Sequence, residues 1–205
     1  MKQEKKQALT EFHRHTIQNA AEKLFLEKGL ASTSLDEIAK TAGYSKATLY
    51  VYFKSKADIW NNILLSAMKM LKAKVENAVL SDSDIIEKYF VLCEAIAGFS
   101  DDYPLYFESL IGMILLENEE VSRKIYEVGE DITGIVGQLI AQGVKEGKVR
   151  SDVQFPNITI VFWACISGMI RMANQKEIYF SKETGYGKKE LLRYGFETLL
   201  RSIMN

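Results

Sequence analysis

Two prolines, Pro104 and Pro156, are all that 205 residues contain, and this scarcity constrains the fold more than any other feature. Proline lacks an amide N–H and clashes with the preceding helical turn, so a chain this poor in it leaves long helices uninterrupted. The apolar residues use that freedom. Ile17, Ala20, Ala21, Leu24 and Phe25 fall at the i, i+3, i+4, i+7, i+8 spacing of one helical face. Ile59, Trp60, Ile63, Leu64, Ala67, Leu71, Val75, Ala78 and Val79 hold the same period through one long segment that ends at Ser81-Asp82. No stretch alternates as a strand does. The expected fold is all-α.

Punctuation marks divide the chain. The first nine residues are polar and read as a mobile arm. Gly29 ends the first helix. Ser34, followed three residues later by Glu37, forms a capping box that opens a second helix, whose buried face is Leu35, Ile38, Ala39 and Ala42. Gly43 stops it after barely two turns, and Ser45 caps a third helix running to about Phe53. After the long fourth helix, helices are expected at about 83–99, 103–116, 119–146, 156–178 and 188–203. The breaks are placed at Ser100-Asp101-Asp102, around Asn118, at Gly147 and at Gly185-Tyr186-Gly187. A head (residues 1–54, with its arm at about 1–9) thus precedes a larger helical body (residues 55–205).

The charged start (Lys2, Glu4, Lys5, Lys6) lacks the apolar core of a secretion signal. The longest apolar run, 158–173, carries Thr159, Ser167 and Arg171 and is short for a membrane span, so it reads as a buried helix. A cytoplasmic protein with no membrane partner is expected. Cys93 and Cys165 each lie within an apolar pattern, as free core thiols do in a reducing compartment. The overall charge of -1 hides an asymmetry. Residues 1–56 hold 10 Lys/Arg against 6 Asp/Glu, whereas residues 57–205 hold 16 against 21. A basic head on an acidic body points to an anionic partner for the head alone.

Two short helices joined by a glycine turn, the second capped by serine, make a helix-turn-helix unit. The second helix of such a unit suits a DNA major groove, where its first residues meet base edges. With Leu49 and Phe53 turned inward, Ala47, Thr48 and Val51 face outward, and Tyr50 and Tyr52 lie on the flanks. Lys46 stands in the first turn, in reach of guanine or phosphate. The tyrosine hydroxyls and Lys56 suit phosphate oxygens, which set register rather than sequence. His13 and His15, two residues apart, point to different sides of a helix and cannot share a metal. With Arg14 they read as a polar helix start near DNA or as plain solvated residues.

At these residues the chain resembles a known family. Thr16 to Ile59, with Ala20-Ala21, Leu24-Phe25, Gly29, Thr33-Ser34-Leu35, Ile38-Ala39, Ala42-Gly43, Ser45, Thr48-Leu49-Tyr50, Tyr52-Phe53 and Ser55-Lys56, is similar to the DNA-binding domain of the TetR (tetracycline repressor-like) family. The resemblance implies a homodimer on a partly palindromic double-stranded operator, usually a repressor, released when a ligand in the body moves the fourth helix. It places Ser45, Tyr50, Tyr52 and Lys56 on phosphates and Lys46, Ala47 and Thr48 on bases, and Thr33 joins the candidate DNA contacts. Tyr44 and Ala47 depart from the family pattern, which has a small aliphatic residue in the turn and a frequent glycine. Both leave the operator sequence open.

The body has no histidine, no glycine-rich phosphate loop and no metal-spaced Cys/His cluster, so neither an enzyme nor a cofactor is expected. Its aromatic and sulfur side chains suit a pocket for a small, mainly apolar effector. Tyr89, Cys93, Phe99, Phe107, Glu108, Ile111, Phe162, Cys165 and Met169 are the candidate lining. Gly129, Gly134, Gly137 and Gly143 load the seventh helix, which must pack closely or move. A dimer interface is expected from Leu192, Phe196, Leu199 and Ile203 on the last helix, with Ala164, Gly168 and Arg171 on the eighth. Two other readings stay open: a DNA-binding architectural or cell-division factor without an effector, and a helical enzyme or interaction module with a vestigial head.

Overall fold

A computed structural model describes residues 2–112 and 119–205. Among the described residues the chain is helical throughout: α1 (Lys2–Lys28), α2 (Leu35–Ala42), α3 (Lys46–Tyr52), α4 (Lys56–Val79), α5 (Ile85–Asp102), α6 (Pro104–Gly112), α7 (Glu119–Lys145), α8 (Asn157–Thr184) and α9 (Lys188–Arg201). Among the described residues the extended pairing is one isolated bridge, Val149 with Met204. No helix among these residues is long and apolar enough to cross a membrane.

The described residues fall into two compact units, 2–68 with 119–126, and 69–112 with 127–205. The division lies inside α4, between residues 68 and 69. Its first turns are apolar toward the head: Ile59, Trp60, Ile63 and Leu64 are buried, and the Trp60 ring meets Phe25 edge-on at 5.4 Å. The helix leaves the head only after that face is covered.

In the first unit α1 packs on α2 and α3, and α2 on α3, over Ile17, Ala21, Phe25, Ile38, Leu49 and Phe53. The arm expected at residues 1–9 is instead the start of α1, which is helical from Lys2. Polarity suggested mobility, but Lys, Gln, Glu, Ala and Leu are also strong helix formers, and no glycine or proline interrupts them.

In the second unit α5 packs on α6, α8 and α9, and α8 on α9. Leu92, Cys93, Ile96, Phe99, Ile166, Ile170 and Phe196 form its core. Asp84 caps α5 by accepting from the Glu87 amide at 2.9 Å, which holds its carboxyl below the usual range. The Tyr89 hydroxyl donates to the Phe196 carbonyl at 2.9 Å, tying α5 to α9. The chain end is pinned as well: Arg150 N–H donates to Ile203 O and Asn205 N–H to Lys148 O, both at 3.0 Å. α8 runs past the expected end at 178 to Thr184, kinking at Lys176, where φ is -128° and ψ 25°. The expected end of the sixth helix at 116, with Ile114 on its apolar face, and the break at Asn118 lie outside the described residues.

Candidate nucleic-acid interface

Each joint of the helix-turn-helix is closed by hydrogen bonds that its own sequence supplies. The capping box on α2 is complete: Glu37 N–H donates to Ser34 Oγ at 3.3 Å, and Ser34 N–H to Glu37 Oε2 at 2.9 Å. The Lys28 ammonium donates to the same carboxylate and ties α1 to α2. With the Ser34 bonds it lowers the Glu37 pKa from 4.5 to about 2. Gly43 ends α2 at φ 76°, in the left-handed region that glycine enters without strain, its N–H donating to the Ala39 and Lys40 carbonyls. Ser45 caps α3 by accepting from Thr48 N–H at 3.0 Å.

These closures aim the face of α3. Leu49 and Phe53 are buried, whereas Ser45, Lys46, Ala47, Tyr50 and Val51 are exposed, Val51 at 76% and Tyr50 at 50%. Seven residues span about 10 Å of helix, a length that enters a major groove about 12 Å wide. Thr48 is half-buried and its hydroxyl lies 2.8 Å from Ser45 Oγ, leaving further hydrogen-bonding capacity toward a base or phosphate. An exposed valine and alanine between polar neighbours suit thymine methyl groups.

Lys46, Lys56 and Thr33, among the expected DNA contacts, have partners on other elements or turns of the head. Lys46 Nζ donates to Asp36 Oδ2 at 2.9 Å, and that bond raises its pKa, so the ammonium is held over the start of α3 by α2. Lys56 reaches back to the turn before α2 and donates to Leu30 O at 2.7 Å, Thr33 O at 2.8 Å and Ala31 O at 3.4 Å. An ammonium has three donors, and these three carbonyls tie Lys56 to the α1–α2 turn. Thr33 is 2% exposed and its hydroxyl donates to Gly29 O at 2.9 Å.

The side chains beside α3 are those that sequence reasoning had left undecided. His13 Nδ1 lies 2.6 Å from the Tyr44 hydroxyl, and its ring is 5.4 Å from both Tyr44 and Tyr52. Arg14 lies over the Phe53 ring at 4.3 Å, donates to Tyr52 O at 2.5 Å and to Asn62 Oδ1 at 3.0 Å. A cation on the last carbonyls of α3 complements the negative end of its dipole. Tyr44, the departure from the family pattern, is thus the partner of His13. Aromatic residues in both the turn and the helix end were the signal that could have found this contact.

In the second unit, Tyr89, Cys93, Phe99, Phe107 and Phe162 are each at most 5% exposed and pack as core. Burial pushes the Tyr89 hydroxyl and the Cys93 thiol up in pKa, which leaves that thiol inert. Glu108 pairs with Arg171, expected at the dimer interface, at 3.0 Å within the same chain. Ile111 is exposed; Cys165 and Met169 are half-buried. A groove of about 590 Å³ lies between α5 and α9, bordered by Glu94, Asp101, Lys188, Lys189 and Arg193, and shares no residue with the expected pocket. Trp163 Nε1 is buried with no hydrogen-bond partner among the described residues. Leu192, Phe196 and Ile203, expected at a dimer interface, are buried within their own protomer; Leu199 is half-buried, and Ala164, Gly168 and Arg171 are exposed. Gly143 of α7 explains itself by close packing: a Cβ there would stand 2.5 Å from Ile85 Cδ1 and 2.6 Å from Val149 Cγ2.

The comparisons with known proteins agree with this geometry. The sequence pattern of bacterial regulatory proteins of the tetR family matches residues 17–63, from the buried face of α1 into α4. The negative transcriptional regulator IcaR of the biofilm operon icaADBC from Staphylococcus aureus (strain Newman) is 30% identical over 141 residues, 68% of this chain and 74% of that protein. The nucleoid occlusion factor SlmA of Vibrio campbellii is 26% identical over 155 residues, 75% of this chain and 77% of that protein. Among solved structures, the transcriptional regulator FadR of Bacillus subtilis in complex with stearoyl-CoA superposes with a TM-score of 0.70 at 19% identity, covering 92% of this chain and 98% of that one. With its doubly capped recognition helix, its two helical units and these relatives, the chain belongs to the tetR family of DNA-binding bacterial transcription regulators.

Proposed function

We propose that this protein is a homodimeric repressor that holds a partly palindromic operator and leaves it when a mainly apolar small molecule enters its second unit. The carrying observation is α3: a seven-residue helix closed at both ends, with its outward face uncovered. The recognition residues are Ser45, Lys46, Ala47, Thr48, Tyr50 and Tyr52, joined by the exposed Val51. Lys46 meets DNA by exchanging Asp36 for a base or phosphate. Such a protein works in the cytoplasm, where the operator is.

The effector assignment draws support from FadR, solved with stearoyl-CoA, and from the aromatic and sulfur side chains within the second unit. A ligand oxygen is a natural acceptor for the buried Trp163 Nε1. The dimer draws support from α8, where Ile160, Val161, Ala164, Gly168 and Met172 form an exposed stripe opposite the buried Phe162, Ile166, Ile170 and Ala173. A ligand that lowers operator affinity tenfold carries a coupling of about 1.4 kcal/mol, and DNA weakens ligand binding by the same factor. The ligand must therefore prefer the state that fits DNA poorly.

The test is a thermal-shift screen of apolar compounds with and without a carbonyl or carboxyl group, followed by operator release measured by gel shift. Compounds that raise Tm and release operator support the reading. Binding without release refutes the switch and keeps the DNA assignment. The likeness to SlmA and the solid packing of Tyr89, Cys93, Phe99, Phe107 and Phe162 favour a second reading, a DNA-binding factor without a small effector. A screen in which no compound raises Tm would select it.

A further inference from the structure

The first three turns of α1 extend beyond the helix-turn-helix they belong to. The face of α1 that buries Ile17, Ala20 and Ala21 passes through His13, which touches Tyr44 and Tyr52 at the two ends of α3. At 3.6 residues per turn, Lys6 lies within about 20° of His13 around the helix, Leu9 about 40° away and Lys5 about 80°. Glu4 and Glu11 lie at about 180° and 160°, on the opposite side. The helix thus segregates charge, with lysines on the side of the recognition helix and glutamates away from it. At 1.5 Å per residue, Lys6 stands about 10 Å and Lys5 about 12 Å beyond His13 along the axis. That is about three base steps of a DNA strand at 3.4 Å each.

Residues 3–9 are all exposed, and among the described residues no carboxylate pairs with Lys5 or Lys6. Four other lysines of the head are engaged, Lys23 with Glu27, Lys28 with Glu37, Lys46 with Asp36 and Lys56 with three carbonyls, whereas Lys40 and Lys54, like Lys5 and Lys6, pair with no carboxylate among the described residues. Two cations held on a preformed helix, in line with the recognition face and unneutralised by protein, fit a polyanion already bound alongside. We infer that the N-terminal extension of α1 is a second DNA contact, in which Lys5 and Lys6 neutralise backbone phosphates flanking the half-site read by α3. The inference rests on DNA binding by the head. Because the contact is to phosphate, it adds affinity and footprint length without sequence preference.

The experiment compares the full-length protein with Lys5→Gln/Lys6→Gln and with the control Lys23→Gln, about 15 Å from His13 in the other direction along α1. The probe is the duplex that wild type selects from a randomised 30-base-pair library. Both variants change exposed side chains, and circular dichroism checks the fold. The expected result is that the slope of log K against log salt falls by about 1.8 for the double variant, about 0.9 for each lost phosphate contact. Operator affinity falls about tenfold, the hydroxyl-radical footprint shortens at its outer edges, and preference among selected sequences stays unchanged. Lys23→Gln leaves all of these as in wild type. An unchanged slope and footprint in the double variant, while wild type binds tightly, would overturn the inference alone. Loss of binding to phosphatidylglycerol vesicles with an unchanged DNA slope would assign the face to a membrane and overturn it too. Failure of wild type to retain any duplex would overturn the DNA-binding reading itself, and this inference with it.

Discussion

Lys56 shows how far a side chain's role depends on what lies within reach of it. At the start of α4 it suits a phosphate, yet its ammonium donates to the carbonyls of Leu30, Ala31 and Thr33, 23–26 residues earlier in the chain. Lys56→Ala is therefore expected to lower the stability of the head by about 1–3 kcal/mol, the cost of leaving partly buried acceptors unpaired. It should leave the salt slope of DNA binding nearly unchanged. Lys46→Ala should do the reverse, lowering the slope by about one with little change in Tm. Denaturation curves and gel shifts at several salt concentrations separate the two. Glu37 makes a prediction of its own. Its pKa falls from 4.5 to about 2 in the folded head, through the Lys28 hydrogen bond and then the Ser34 amide. A depressed carboxyl contributes stability above its unfolded pKa and loses it as pH falls through the folded value. Head stability should thus decline between about pH 4.5 and pH 2, and Glu37→Gln should flatten that part of the pH profile measured by circular dichroism.

Among the elements, α7 separates two kinds of helical glycine. Gly134 faces open space, while Gly143 sits against Ile85 and Val149. Gly134→Ala should stabilise the second unit by up to about 1 kcal/mol, the helix-propensity difference. At Gly143 the same gain is outweighed, because the new methyl group must displace Ile85 and Val149, a repacking that costs about 1–3 kcal/mol. Gly143→Ala should lower Tm, and a rise there would mean that α7 and the Lys148–Arg150 segment part more easily than their packing implies. Gly134 and Gly143 looked alike in the sequence, and only their neighbours distinguish them. α1 makes the same point at its other end, since its first turns consist of strong helix formers that polarity alone read as an arm.

For the whole molecule the question is which apolar stripe belongs to the protomer and which to a partner. Phe196 and its neighbours on α9 are spent on their own core, at 2% exposure for Phe196, and its carbonyl accepts from Tyr89. Phe196→Glu is expected to unfold the second unit, with loss of far more than the 3–5 kcal/mol of an alanine truncation. The outer stripe of α8 is free of such duties, and a Cβ at Gly168 meets nothing within 4 Å among the described residues. Gly168→Glu should leave the helical circular dichroism spectrum and Tm of the protomer intact while sedimentation velocity reports monomers. Operator binding should weaken in parallel, since one head holds half a palindrome. A folded dimer in Gly168→Glu would move the interface off this stripe.

Residues close in sequence determined most of the architecture. The capping box of Ser34 and Glu37, the Ser45 cap, the left-handed Gly43 and the 3.6-residue periods of α4 and α5 are interactions between positions three or four apart. Such partners are adjacent whatever the rest of the chain does, so the head, its recognition helix and the all-helical body were legible before any coordinates. The partners of long or bifacial side chains were decided by tertiary structure. Arg14 on Tyr52 and Asn62, Lys56 on the α1–α2 turn, Arg171 on Glu108 and the inward turn of Leu192, Phe196 and Ile203 join residues from 23 to 107 positions apart. A helical period reveals that a face is apolar, but not whether its own protomer or another molecule covers it. That choice depends on the placement of α5 against α9, which no local pattern encodes.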